Sequence, residues 1–287
     1  MSTLQLFNQT ITSPSWQGYL EKVLGQKKAS FVNNITALVS NSKALQSCEP
    51  QSIIFAATKA TALDLPLDPN LGFAYVIPYN NRREGKQEAQ FQIGYKGFIQ
   101  LAIRSGQFKT INVTEIREGE VETVNLLTGE VKFNAKPNRH ELPVIGYAAF
   151  FRLAGGFEKT LYATKEEVEA HAKKYSQTYS NDRTKQSSKW TTDFDAMAKK
   201  TVLKLLLSKY APMSVEMQSA IVSDQAVITE QGNKYVDNEI EDAVAEEIET
   251  NANQAEIGMG DGMQAETIQA QVPDPQPAPE QPAGPGF

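Results

Sequence analysis

The chain has 287 residues, 40% of them hydrophobic and 22% charged, which is enough to bury a full core in one large domain with an extension or in two smaller domains. No apolar run approaches the roughly 20 residues of a membrane helix, and the first ten residues lack the pattern of a secretion signal, so we expect a cytoplasmic protein. The single cysteine, Cys48, excludes an intrachain disulfide and a thiolate zinc site.

The net charge of −6 hides an uneven distribution of charge along the chain. Residues 1–222 contain 27 Lys and Arg against 20 Asp and Glu, whereas residues 223–287 contain one lysine and 14 acids. A basic body with an acidic tail is typical of a protein that binds a polyanion and uses its tail for a separate purpose.

Helices come first along the chain, and strands follow them. The Ser13–Pro14 pair is typical of a helix start, and apolar residues at helical spacing predict three helices in all. These predicted helices span 14–24, 31–39 and 50–63. Aromatic and β-branched residues then predict strands at 73–79 and 90–95, joined by a polar hairpin tip, and a helix over 96–105 follows.

The second half of the body combines short strands with helices. Further strands are predicted at 110–117, 121–126, 131–134, 144–153 and 157–162. Thr164 and Glu167 form a capping box that opens a helix, and a polar loop over 176–188 precedes a long helix over 192–210. The sequence therefore predicts an α+β fold, in which an antiparallel sheet with a β-hairpin packs against several helices.

The C-terminal segment has a different composition. From about Thr229 it contains mainly acids, Gln, Gly and Pro, with few apolar groups to offset the entropy of ordering, so we predict a disordered acidic tail. In one stretch apolar residues recur every four positions, at Val236, Ile240, Val244 and Ile248. This stretch is either a helix that folds on a partner or a solvated, fleetingly helical segment.

Signals of catalysis are weak throughout the sequence. There is no phosphate-binding Gly-x-x-x-x-Gly-Lys-Ser/Thr motif, and His140 and His171 are too far apart to share a metal-binding motif. The strongest enzymatic candidate is the triplet Glu118, Glu120 and Glu122, whose alternating carboxylates could hold a nuclease metal. A solvated acidic edge is the commoner reason for such a triplet.

Cations and aromatic residues are interleaved in two segments, 65–106 and 189–212. A protein that binds single-stranded nucleic acid without sequence preference needs cations along the phosphates and flat side chains against the bases. We expect backbone contacts from Lys96, Arg104, Lys199, Lys200 and Lys204, and a grip at the hairpin tip from Arg82, Arg83 and Lys86. The predicted site is completed by Tyr75, Gln92, Tyr95 and Lys189.

The same residues have ordinary structural alternatives. Many of the aromatic side chains will lie in the core, because about half of the side chains of a sheet packed on helices point inward. Lys200 and Lys204 are four residues apart and would lie along one line of the long helix. The buried stripe of that helix is predicted to contain Phe194, Met197, Ala198, Thr201 and Leu205, with the neighbouring Val202 and Leu206. The lysine line either follows a phosphate backbone or forms a solubilising face.

Three strings carry a resemblance to a known family: AYVIPYNN, FQIGYKGFIQLAIRSGQ and W-x-x-x-F-x-x-MAKKT-x-x-K-x-L-x-x-x-x-P-x-S-x-E-x-Q. Together they closely resemble the RecT family of phage-type single-strand annealing proteins, over roughly residues 30–225. The family's Gly-Tyr-Arg/Lys-Gly corner corresponds to Gly94–Gly97, and its Met-Ala-Lys-Lys-Thr motif corresponds to Met197–Thr201.

The resemblance implies a DNA-annealing recombinase that uses no ATP, cofactor or catalytic site and assembles into rings or helical filaments, distantly akin to lambda Redβ and the eukaryotic annealing proteins. It implies cooperation with a 5′-to-3′ exonuclease, and we also expect a host single-strand binding protein as a partner. The domains are then an N-terminal helical arm at 1–28 that could contact a subunit, an annealing core at 29–225 and the tail at 226–287.

Three rival functions remain open from the sequence. The main rival is a protector that coats single strands without annealing them. The others are a metal-dependent nuclease built on the glutamate triplet and a phage structural protein whose filaments form independently of DNA.

Overall fold

The computed structural model describes residues 3–81 and 84–234, in which helices and antiparallel strands combine as the sequence predicts. The α+β fold class is confirmed. Most of the predicted tail, with its apolar stretch at 236–248, lies outside the described residues, but its first residues form a short β-hairpin over 227–234, so the prediction of disorder from residue 226 is wrong for this part. In the described ranges no helix has both the length and the apolar character to cross a bilayer.

Five helices form the N-terminal part of the structure. They are α1 (Thr3–Thr12), α2 (Pro14–Leu24), α3 (Lys28–Ser40), α4 (Lys43–Gln46) and α5 (Pro50–Ala62). Pro14 lies in the first turn of α2, as predicted. Helix α1 was not predicted as a separate helix, although Ser2 and Gln5 fit a capping-box pattern in the sequence; it buries Phe7 and Ile11 and packs against α5.

A β-hairpin and a helix follow. Strands β1 (Ala74–Asn81) and β2 (Lys86–Ile93) pair antiparallel, and α6 (Tyr95–Arg104) begins directly after them. The hairpin tip is shorter than predicted, because the polar residues near it continue the ladder. Asn81 and Glu88 are buried there, and the Asn81 amide donates to the Glu88 carboxylate at 2.8 Å.

The remaining strands form separate small sheets rather than one. Strands β3 (Phe108–Arg117), β6 (Val144–Leu153) and β7 (Glu158–Thr164) make a three-stranded sheet in the order β3-β6-β7. Strands β4 (Val121–Asn125) and β5 (Glu130–Phe133) form a hairpin of their own.

The C-terminal part of the described chain is mostly helical. It contains α7 (Lys165–Tyr175), α8 (Gln177–Ser180), α9 (Lys189–Thr192), α10 (Phe194–Tyr210) and α11 (Val215–Ser223), then the short strands β8 (Val227–Thr229) and β9 (Gly232–Lys234). The capping box of α7 is confirmed. The loop predicted at 176–188 contains short helical turns, and nearby Tyr179 and Trp190 are buried. Helix α10 packs against both α6 and the three-stranded sheet.

Candidate nucleic-acid interface

Two glycines fix the corner between β2 and α6. A Cβ atom on Gly94 would lie 2.2 Å from the carbonyl oxygen of Gly72, and one on Gly97 would lie 2.2 Å from that of Phe73. The Gly94 amide also donates a hydrogen bond to the Phe73 carbonyl at 3.0 Å. The strand-to-helix corner can therefore approach this backbone only because both residues lack a side chain. This packing places Tyr95 and Lys96 in the first turn of α6.

Tyr75 and Lys96 both lie close to Gly72. A Cβ atom on Gly72 would lie 3.1 Å from the Tyr75 hydroxyl oxygen and 3.6 Å from Cδ of Lys96. Lys96 is exposed, and no acid pairs with it among the described residues. Tyr75 is half-buried, and burial raises its pKa, with further contributions from Asp193 and Tyr95.

Lys199 approaches the same place from α10. Its Nζ lies 5.4 Å from the centroid of the Tyr95 ring, within the range of a cation–π contact, and donates to Glu115 Oε1 at 2.9 Å. Burial alone would lower the pKa of Lys199, but the bond to Glu115 raises it. Gln92 stands opposite Tyr75 in the β1–β2 ladder. The structure thus gathers five predicted residues, here named the tyrosine–lysine cluster: Tyr75, Gln92, Tyr95, Lys96 and Lys199.

This cluster has the two chemical groups that single-strand binding requires. Its phenol rings supply flat surfaces for bases, and its exposed ammonium supplies a charge for a phosphate. The second ammonium, on Lys199, forms an ion pair with Glu115 and contacts the Tyr95 ring. It is therefore less available to a phosphate than the ammonium of Lys96. The arrangement can bind a chain of bases and phosphates.

Lys200 and Lys204 are placed differently from the prediction. Both lie along one line of α10, but that line faces the interior, and Lys200 is 6% exposed. Their ammonium groups each lie 2.8 Å from the carboxylate of Asp224, which is fully buried and also accepts the Ile93 amide. Burial alone would raise the pKa of Asp224, but the two lysines lower it and keep the carboxylate ionised. The predicted solvent-exposed lysine line is wrong for these two residues.

The buried stripe predicted for α10 is also partly wrong. Ala198, Val202 and Leu206 are buried as expected, whereas Leu205 is 44% exposed. Leu203 and Leu207 are buried instead. Because α10 contacts other elements around most of its circumference, its apolar residues do not follow a single stripe.

The other predicted cations are dispersed. Arg104 donates to the Leu63 carbonyl at 2.6 Å and to Asp64, and Lys86 lies 3.9 Å from Glu49. Lys189 is exposed on the short helix α9. Arg82 and Arg83 lie outside the described residues.

The glutamate triplet does not form an open carboxylate site. Glu120 is buried and accepts from Arg139 Nε at 2.8 Å and from the Arg117 amide at 2.8 Å, and these bonds lower its pKa to about 2. Within residues 3–81 and 84–234, the side chains of Glu118 and Glu122 have no such partner. Within the described residues, no group of three potential ligands is placed to hold a metal ion.

Two acidic residues near the tyrosine–lysine cluster, Glu115 and Asp195, were not predicted from the sequence. Glu115 binds Lys199, and Asp195 accepts a 2.5 Å hydrogen bond from the hydroxyl of the fully buried Tyr147. Burial and Asp195 raise the pKa of Tyr147. The signal available in the sequence was the pair Asp193 and Asp195 at the start of a basic helix, which resembles ordinary helix-start acids.

Comparison with known proteins gives matches over most of the chain. A family model described as "RecT family" matches residues 29–242. A relative from Bacillus subtilis (strain 168), described as "Uncharacterized protein YqaK", is 45% identical over 214 residues, which cover 75% of this chain and 70% of the relative. "Protein RecT" of Escherichia coli (strain K12) is 29% identical over 219 residues, covering 75% of this chain and 78% of that protein.

Proposed function

Since the chain belongs to the RecT family, whose role is single-strand annealing in recombination, we propose that it pairs complementary DNA strands without ATP and works as a ring or helical filament. The tyrosine–lysine cluster is the structural feature that supports this proposal and assigns it to particular residues. It combines stacking surfaces and an unpaired cation at one place in the described structure.

The cluster supports a specific way of holding the first strand. Bases stack on Tyr75 and Tyr95, and each stacked base contributes about 1–3 kcal/mol without regard to sequence. Lys96 binds a phosphate, and Gln92 supplies a polar group beside Tyr75. Lys199 acts indirectly, because Glu115 holds its ammonium against the Tyr95 ring. A strand bound in this way by its backbone and by base faces keeps its pairing edges open to a complement.

Annealing requires no catalytic residue. Duplex stacking, at about 1.4 kcal/mol per base-pair step, already favours the paired product. The obstacle is kinetic, because two like-charged strands repel and must meet in register. A protein that neutralises phosphates and presents an extended strand lowers this barrier without spending ATP.

Several subunits must act together for long homologies. A head-to-tail contact between copies repeats the cluster along a continuous track and yields rings or filaments. We propose a 5′-to-3′ exonuclease as the source of the single strands, and a host single-strand binding protein as the partner that occupies them first.

The test is an annealing reaction without nucleotide. Complementary labelled oligonucleotides are mixed with the full-length protein in buffer free of ATP and magnesium, and pairing is followed by fluorescence transfer. We expect pairing to be at least tenfold faster than with no protein. A protein that only coats single strands would instead slow the pairing, and that result would refute the proposal.

A further inference from the structure

The two lysines beside Tyr95 differ in their availability to DNA. Lys96 is exposed, and its ammonium has no acid partner in the part of the chain that the structure describes. The Lys199 side chain is 19% exposed, and its ammonium lies 2.9 Å from Glu115 Oε1 and 5.4 Å from the centroid of the Tyr95 ring. A phosphate that approaches Tyr95 therefore meets one available cation and one cation that already has a carboxylate partner.

The carboxylate of Glu115 is itself held in place. Its side chain is 23% exposed, and its second oxygen, Oε2, lies 3.8 Å from Nη2 of Arg117. Arg117 in turn donates from Nη1 to the Leu142 carbonyl at 2.6 Å. The backbone carbonyl of Glu115 accepts a hydrogen bond from Nη2 of Arg139 at 3.0 Å. These contacts keep the carboxylate next to the Lys199 ammonium, so the pair is more constrained than two charges on an open surface.

Other acids near the cluster have different positions. Asp193 and Asp195 lie at the start of α10, and Asp195 accepts the hydroxyl of Tyr147 at 2.5 Å. Within residues 3–81 and 84–234, Glu115 is the acid that lies within ion-pair distance of a lysine of the cluster. The effect of a single carboxylate on the cluster can therefore be tested at this one position.

A carboxylate at this place should limit strand binding. A carboxylate and a phosphate are both anions that accept hydrogen bonds from an ammonium, so they compete for it. Each phosphate that a protein neutralises releases counterions and adds to the salt-dependent part of the affinity. A lysine that stays paired with a carboxylate makes no such contribution when DNA binds. The pair between Lys199 and Glu115 thus reduces the number of phosphate contacts at the cluster.

Limited binding of the first strand suits an annealing protein. A contact that forms with the unpaired strand lowers the energy of the starting state, and it speeds pairing only if it strengthens as the duplex forms. A second phosphate contact beside Tyr95 would hold the unpaired strand without this gain. Fewer contacts in each subunit leave the strand able to shift until it is in register with its complement.

We propose that Glu115 restrains DNA binding by withholding Lys199 from the phosphates, so that the cluster contacts the backbone of the single strand through one cation, Lys96. Glu115 is a positioning residue, because it acts through Lys199 and contacts no nucleotide. This inference deepens the proposed function and rests on the single-strand binding that it includes, since it assigns the strength of that binding to the same site.

The experiment measures the binding of a fluorescein-labelled oligothymidine to the full-length protein at several salt concentrations. Glu115→Gln keeps the shape of the side chain and removes its charge, which releases Lys199. We expect tighter binding, with a slope of log affinity against log salt that is steeper by about 0.7 per subunit, as for one added phosphate contact. The gain in affinity should therefore shrink about 2.6-fold as the salt concentration rises from about 50 to about 200 mM.

Matched variants separate this effect from a general loss of negative charge. Glu118→Gln removes an exposed acid just after β3 and should leave the slope unchanged. Lys199→Gln alone should weaken binding without changing the slope, because only the contact with the Tyr95 ring is lost. Combined with Glu115→Gln, however, it should remove the added slope of about 0.7. A purely structural role of Glu115 would not produce this dependence on Lys199.

Three results would overturn the proposal. One is an unchanged slope in Glu115→Gln that urea unfolding shows to be folded, and another is an added slope that persists in the double variant. The third is a shallower slope in Lys199→Gln alone, which would mean that Lys199 already binds a phosphate in the wild type. This last measurement keeps Glu115 in place, so it tests the proposal even if Glu115→Gln does not fold.

Annealing is measured separately on the same samples. A wild type that fails to hasten pairing, together with a Lys199-dependent gain of binding in Glu115→Gln, would refute the proposed annealing and support the restraint on strand binding. A wild type that anneals, together with an unchanged slope in Glu115→Gln, would refute the restraint alone.

Discussion

Lysines on two neighbouring helices, α6 and α10, have opposite surroundings. Lys96 is exposed in the first turn of α6, next to two tyrosines. Lys200 and Lys204 on α10 are directed inward and share the buried carboxylate of Asp224. Lys96 is available to a ligand, whereas the α10 pair joins α10, β2 and the segment after α11. Lysines that look alike in the sequence therefore occupy both exposed and structural positions.

The largest expected effect on stability comes from disrupting the buried ion pairs of Lys200 and Lys204 with Asp224. Replacing Asp224 by alanine leaves two ammonium groups without their counter-charge, and removing one partner of a buried ion pair costs about 3–5 kcal/mol. The measurement is the free energy of unfolding in urea, with the exposed Asp182→Ala as control. A loss below about 1 kcal/mol would mean that Asp224 does not join these elements.

A smaller effect is expected on the pH dependence of stability, through His171, whose pKa is lowered in part by the charge of Lys204. Burial, with the charges of Lys204 and Lys174, lowers the pKa of His171 from 6.5 to about 4. As pH falls from about 6.5 to 4, the unfolded chain binds this proton before the folded chain does, so the stability due to His171 declines, by about 3 kcal/mol. In His171→Leu this part of the decline should be absent, as measured by urea unfolding at pH 7.5 and 4.5. Parallel curves for the two proteins would contradict the assignment.

The smallest effect on stability is expected for the exposed Lys96, whose replacement should instead weaken DNA binding. Lys96→Ala should change the free energy of unfolding by less than about 0.5 kcal/mol. It should also make the slope of log affinity against log salt shallower by about 0.7, which corresponds to one phosphate contact on a single strand. The exposed Lys22→Ala on α2 is the matched control. Equal slopes for the wild type and Lys96→Ala would mean that Lys96 does not contact a phosphate of the bound DNA.

Much of the fold could be predicted because its signals are local. The Ser13–Pro14 helix start, the capping box at Thr164 and the apolar run of β6 depend on residues close in sequence. Helix α1 and the β8–β9 hairpin were missed, although Ser2 and Gln5 fit a capping-box pattern and Val227–Thr229 is a short β-branched run. Both elements are short, and both are completed by long-range packing. The Ala226 contact with Phe91, which anchors that hairpin, spans more than a hundred residues.

The candidate site could be predicted only in part. Helical periodicity correctly put Lys200 and Lys204 on one line, but periodicity does not say which way a line faces. That direction is set by Asp224, which lies 24 residues after Lys200, at the far end of another helix. Tyr75 and Lys199 come together from opposite halves of the chain, through the packing of α6 on α10.

The glycine corner limits how far this surface can be re-engineered. A single methyl group at Gly94 or Gly97 would lie 2.2 Å from a backbone carbonyl oxygen, so libraries that vary the tyrosine–lysine cluster should keep both codons constant. Of the two residues between them, Tyr95 packs partly against the core and contacts Lys199, so the exposed Lys96 is the position that can be varied with the least disturbance.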